Sequence, residues 1–147
     1  MQEFFDLMAL IGLVSAILVI SLSRVAILTL FGAAFLPSAE ILSLHAIGGL
    51  FVSMGISCKY WFILEHKQIY TFYRTLAGCI LNIILNFILI PEMGARGAAF
   101  ATVAAQALSL FIFNYVNRNT RFLFRMQLRS LVPSRGIRAF IRLARRS

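Results

Sequence analysis

Four stretches of the 147-residue chain run for about twenty residues with almost no charge: 7–23, 41–64, 69–90 and 95–116. A helix of that length crosses the hydrocarbon core of a bilayer, about 30 Å. Composition agrees, because 61% of the residues are hydrophobic and only 13% charged, whereas soluble domains are nearer one half apolar. An all-α integral membrane bundle of about four transmembrane helices follows. The segment from Val25 to Ala39 is uncharged but contains Gly32 and Pro37, which predicts a short interfacial or broken piece rather than a fifth span.

Charge is distributed unevenly. Up to Val116, Arg24, Lys59, Lys67, Arg74 and Arg96 balance Glu3, Asp6, Glu40, Glu65 and Glu92. The last 31 residues carry nine arginines and no acid: Arg118, Arg121, Arg125, Arg129, Arg135, Arg138, Arg142, Arg145 and Arg146. Residues 117–147 therefore form a basic tail. An even number of spans puts both ends on one side, and the cation excess makes that side cytoplasmic. Glu40 and Glu92 then fall outside, together with Arg24 and Arg96, which run against the rule. In the tail, Arg121, Arg125 and Arg129 recur every fourth residue beside Phe122, Leu123 and Met126. After Pro133, Arg138, Arg142 and Arg145 alternate with Ile137, Phe140 and Ile141. These periods predict amphipathic helices on an anionic lipid surface. Directly after a membrane span, lipid is the expected partner in preference to nucleic acid.

Polar residues inside a membrane span are costly and mark cavities or helix contacts. In the third span Arg74, Gly78, Asn82 and Asn86 follow at four-residue intervals, a stripe that drifts only about 120° around the helix. Two readings stay open: a cavity wall offering a cation and two amides to an anionic or sugar-bearing substrate, or polar links between helices with Arg74 reaching headgroups. Lys59 and His45 in the second span are weaker candidates for the same cavity. The fourth span places Gly97, Ala101 and Ala105 on one row and Ala98, Thr102 and Gln106 on the next. Such small residues allow close backbone approach, and this face is expected to pack on the third span. Cys58 and Cys79, with no CxxC pair, read as small packing residues.

Catalysis is not expected. Gly94-Ala95-Arg96-Gly97 lacks the Lys-Ser/Thr of a phosphate loop, HExxH is absent, and two histidines are too few for most metal sites. No cofactor or metal is called for. The acidic start, Glu3 and Asp6, does not look like a cleaved secretory leader.

The run Arg74, Gly78, Asn82, Asn86, Ile90, Pro91, Gly94 and Gly97-Ala98-Ala99-Phe100-Ala101-Thr102 closely resembles a signature of bacterial polysaccharide and O-antigen flippases. It reads R-x3-G-x3-N-x3-N-x3-I-P-x2-G-x2-GAA-x-AT. Leu30-Phe31-Gly32 with Phe35 and Ser38, and Thr120-Arg121-Phe122-Leu123-Phe124, occur in that family's order. The resemblance implies membership of the multidrug/oligosaccharidyl-lipid/polysaccharide exporter superfamily, whose members carry undecaprenyl-diphosphate-linked sugar repeats across the bacterial inner membrane. Such carriers have a dozen or more helices, so this chain would correspond to the C-terminal third. Its partners would then include membrane lipids, the lipid-linked oligosaccharide, the N-terminal part and other polysaccharide assembly proteins. The resemblance implies that Arg74 meets the diphosphate, that Asn82 and Asn86 line the cavity or brace the helices, and that Pro91, Gly94 and Gly97 shape the outer turn. Two alternatives remain: a self-standing four-span scaffold, and a dimeric small multidrug-type exporter. The second lacks the membrane-embedded carboxylate such carriers use, since all five acids lie at span ends.

Overall fold

The computed structural model describes residues 1–145, so Arg146, one of the tail cations, lies outside the described residues. Four helices are long and apolar enough to cross a membrane: α1 (Gln2–Leu30), α2 (Ser38–Leu64), α3 (Gln68–Met93) and a fourth span over Ala95–Val116. The fourth is not uniform. It comprises α4 (Ala95–Ala107), a π-helical stretch (Leu108–Ile112) and the short α5 (Phe113–Val116). Two further helices, α6 (Arg121–Ser130) and α7 (Pro133–Ala144), build the basic tail. No strand occurs among the described residues.

Several boundaries differ from the sequence reading. α1 does not stop at Arg24 but runs on to Leu30, because one arginine leaves the backbone hydrogen bonds intact and only its side chain must find a polar setting. The predicted break over 25–39 therefore shrinks to a link around Gly32, which has φ +85°, and a 3-10 turn over Ala33–Phe35. Pro91 lies inside α3 rather than in the turn after it. Membrane helices tolerate proline where neighbours meet the freed backbone groups. The reversal into α4 is made by Gly94 alone, at φ +57° and ψ −134°, a backbone region costly for any residue with a Cβ.

The spans run up, down, up and down. Ser23 pairs with Ser43 between α1 and α2, and Asn82 pairs with Thr102 between α3 and α4. α1 packs on α2, α2 on α4 and α4 on α3; α2 and α3, although neighbours in sequence, touch little. The bundle is thus two tight hairpins joined through α2 and α4. At Gly97 a Cβ would collide with the backbone of Leu89, so this glycine sets the closeness of α3 and α4.

Most large apolar side chains point outward. Along α3, Ile83, Ile84, Phe87 and Ile88 are exposed, Phe87 by 79%. Such a surface would aggregate in water; in lipid it is the ordinary exterior. The protein is a helical integral membrane bundle.

The tail folds back onto the bundle instead of lying apart from it. Phe5, Cys58, Phe62 and Leu123 are fully buried together, joining α1, α2 and α6. The Trp61 and Phe122 rings meet edge to face at 4.9 Å, and Phe62 stacks on Tyr70 at 5.7 Å. α7 crosses α1 where Gly136 lies against the Asp6 carbonyl and Leu10, and Arg142 binds Glu3 at 2.8 Å.

Candidate ligand cleft

Because α2 and α3 stand apart, a cleft of about 470 Å³ opens between them with α4 as its floor. α2 contributes Val52, Gly55, Ile56 and Lys59; α3 contributes Arg74, Thr75, Gly78, Cys79 and Asn82. The fourth span adds Thr102, Ala105, Gln106, Ser109 and Leu110. Three elements thus bring a lysine, an arginine, two amides and several hydroxyls to one cavity inside a membrane bundle.

Arg74 is its most distinctive member. The residue is 5% exposed, and its guanidinium lies over the Phe62 ring, 5.6 Å from the centroid. One nitrogen, Nη2, donates to the Gly55 carbonyl at 3.4 Å. The other, Nη1, is buried without a partner. The two ion pairs among the described residues, Arg96 with Glu40 and Arg142 with Glu3, leave Arg74 without a carboxylate. An uncompensated buried cation is expensive, and an incoming anion would relieve that cost.

The amides extend the polar wall. Asn82 Nδ2 donates to Thr102 Oγ1 at 3.4 Å, and Thr102 in turn donates to the Ala98 carbonyl at 2.9 Å. Gln106 Oε1 is buried with no partner and sits where a Cβ on Gly48 would fall. Glycine at position 48 therefore makes room for the Gln106 side chain. Arg74 Nη1 and Gln106 Oε1 are both closed off from solvent, so a ligand carrying phosphate oxygens and hydroxyl groups would meet them only once these side chains turn into the cleft.

Comparison of the chain with known protein families, with characterised proteins and with solved structures finds no match.

The sequence-derived candidates divide accordingly. Arg74, Lys59, Gly78, Asn82, Thr102 and Ala105 come together at the cleft. Asn86 stands one turn beyond it and donates to Asn82 Oδ1 at 3.0 Å. His45 is exposed on α2 and outside the cleft, because it lies two turns beyond the Val52–Lys59 stretch that α2 presents there. Gly97, Ala101 and Ala105 are buried and Ala98 half-buried on α4. Cys79 is exposed and lines the cleft, unlike the buried Cys58, so only the latter serves as core packing. Of the tail cations, Arg121, Arg125, Arg129, Arg138, Arg142 and Arg145 are all exposed and none lines the cleft.

Two features escaped the sequence reading. By spacing Gln106 belongs with the small-residue face of the fourth span, and its length is the one signal in the sequence that it reaches toward α2. The second is a buried polar cluster where the fourth span meets α6. Asn114 donates to Gln127 Oε1 at 3.0 Å, and both amides donate to the Leu110 carbonyl, at 3.0 and 3.1 Å.

Proposed function

We propose that the protein binds a phosphate-bearing amphiphile in the Arg74 cleft and forms part of a membrane carrier for undecaprenyl-diphosphate-linked oligosaccharide repeats in the bacterial inner membrane. The observation that carries this reading is a buried arginine without a counter-ion in a cleft between membrane helices. Arg74 would form charge-assisted bonds to the diphosphate. Gln106 and Asn82 would meet sugar hydroxyls, and Lys59, exposed at the same cleft, would attract the anion to its mouth. The signature-like run from Arg74 to Thr102 supports the class of cargo.

In this reading both termini face the cytoplasm, and the exposed arginines of α6 and α7 rest on the anionic inner leaflet. Alternating access in such carriers needs two helical lobes moving about a central site, so four spans would work with further membrane helices. The polysaccharide assembly machinery would supply the cargo.

The test is binding of undecaprenyl diphosphate to the full chain in phosphatidylcholine nanodiscs. Arg74→Gln should weaken it by about tenfold, the loss of one charged hydrogen-bonding group, and Arg74→Lys should recover part of that. Equal affinity for wild type and Arg74→Gln would reject the reading.

A further inference from the structure

Arg24 and Arg96 contravene the charge rule that orients the rest of the bundle, and the fold brings them together. Both line a second cleft, about 680 Å³, at the end carrying the α1–α2 and α3–α4 turns, whereas Arg74 and Lys59 stand toward the tail end. Its one acid is Glu40, whose carboxylate is 2.6 Å from Arg96 Nη2. Both partners of that pair are more than half exposed and stand in the first turns of α4 and α2, where an ion pair is readily exchanged. Arg24 has no ion-pair partner among the described residues. It projects from α1 six residues before the helix ends, about 9 Å short of the terminus.

The remaining walls suit an amphiphile. Ser23 and Ser43, 3.1 Å apart, supply hydroxyls beside the cations. Ile20, Leu44, Ile47 and Phe100 supply an apolar side. The first turns of α2 and α4 also open here, at Glu40 and Arg96, and their helix dipoles favour negative charge. Two guanidiniums against one carboxylate leave the cleft short of one anion.

We propose that this cleft is a second binding site, separate from the Arg74 cleft, for the phosphate headgroup of a membrane lipid. Arg24 receives the phosphate first, and Glu40 is a displaceable stand-in on Arg96. The hydrocarbon chain lies along Ile20, Ile47 and Phe100. This assignment does not depend on what the Arg74 cleft carries.

The experiment uses the full chain in phosphatidylcholine nanodiscs containing dioleoyl phosphatidic acid, with retained lipid counted by native mass spectrometry. Arg24→Gln should lower retention about tenfold and Arg24→Lys much less, as expected for one charged contact. Glu40→Gln should raise retention several-fold by freeing Arg96, a gain that a misfolded variant does not give. Loss of retention in Glu40→Gln, or no change in Arg24→Gln, overturns the proposal. Displacement of the lipid by millimolar inorganic pyrophosphate would also overturn it, since the site would then take free anions; resistance to pyrophosphate supports a lipid occupant.

Discussion

Asn114 and Gln127 face each other across the junction of the fourth span and α6, with 3.0 Å between the Asn114 amide nitrogen and Gln127 Oε1. Both amides also donate to the carbonyl of Leu110, which lies inside the π-helical stretch. In a π turn the backbone bonds reach one residue further than in an α-helix, and such turns often mark functional positions. Here the side chains of a span and a tail helix converge on that irregular turn. Leu110 also fills the space beside Gly55 on α2, the residue whose carbonyl receives Arg74. The tail junction and the Arg74 cleft therefore share a wall.

Replacing Gln127 by Leu removes two of these bonds and leaves the Asn114 amide nitrogen with the Leu110 carbonyl and the weakly accepting Cys58 sulfur. The expected cost is about 1–2 kcal/mol, the net worth of the two hydrogen bonds lost. Limited trypsin digestion should then cut at Arg118, Arg121 and Arg125 several times faster than in the wild type. Unchanged cleavage would show that the apolar core at Leu123 holds the tail without the amides.

Gly94 and Gly97 should both resist substitution, for different reasons. Gly94→Ala forces a Cβ into an unfavourable backbone region, at about 1–3 kcal/mol. Gly97→Ala drives a methyl group into the Leu89 backbone and must part α3 from α4. Unfolding in mixed micelles should rank Gly97→Ala at least as severe as Gly94→Ala, and Ala98→Gly, on a half-buried row, milder than either.

The Asn82–Thr102 bond joins α3 to α4 at 3.4 Å. Hydrogen bonds between membrane helices average about 0.6 kcal/mol in double-mutant cycles. A cycle of Asn82→Leu and Thr102→Val should give a coupling of that order. A value near zero would mean that this contact adds nothing to the α3–α4 seam and that Asn82 is held by Asn86 alone.

Cysteine labelling separates the two thiols. Cys79 lines the cleft and is exposed, whereas Cys58 is buried. A water-soluble maleimide should modify Cys79 and leave Cys58 intact if water fills the cleft. Protection of Cys79 from that reagent, with labelling by a lipophilic maleimide, would mean that lipid fills it.

Each cation near an anionic leaflet contributes about 1 kcal/mol. Tryptic cleavage at Arg125, Arg129 and Arg138 should therefore slow when phosphatidylglycerol replaces phosphatidylcholine around the full chain. The protection should fade as salt shortens the screening length. Equal cleavage rates in both lipids would remove the electrostatic part of tail docking.

The spans were legible because hydrocarbon thickness sets a length that hydropathy alone reveals. The Arg74, Gly78 and Asn82 row was legible because a four-residue spacing nearly closes on one helix face. His45 failed the same kind of reasoning: a polar residue in a span says nothing about which level of the bundle its cavity occupies. Pro91 misled because the usual stop signal weakens inside lipid. The Asn114–Gln127 contact had no local signature, since its partners sit thirteen residues apart on either side of the Asn117–Thr120 bend. The exposed row of α3 could be read only as apolar, and its position at the edge of the bundle follows from packing order.

The link over 65–67 carries more than its length suggests. Its central residue, His66, holds φ +54°, and it joins two hairpins that are internally tight but meet mainly through α2 and α4. The second hairpin is tied to the first a further time, because α6 returns from the fourth span to bury Leu123 against Phe5, Cys58 and Phe62 of α1 and α2. α3 and α4 are thus moored to the first hairpin at both ends of their run, like a hammock slung between two posts.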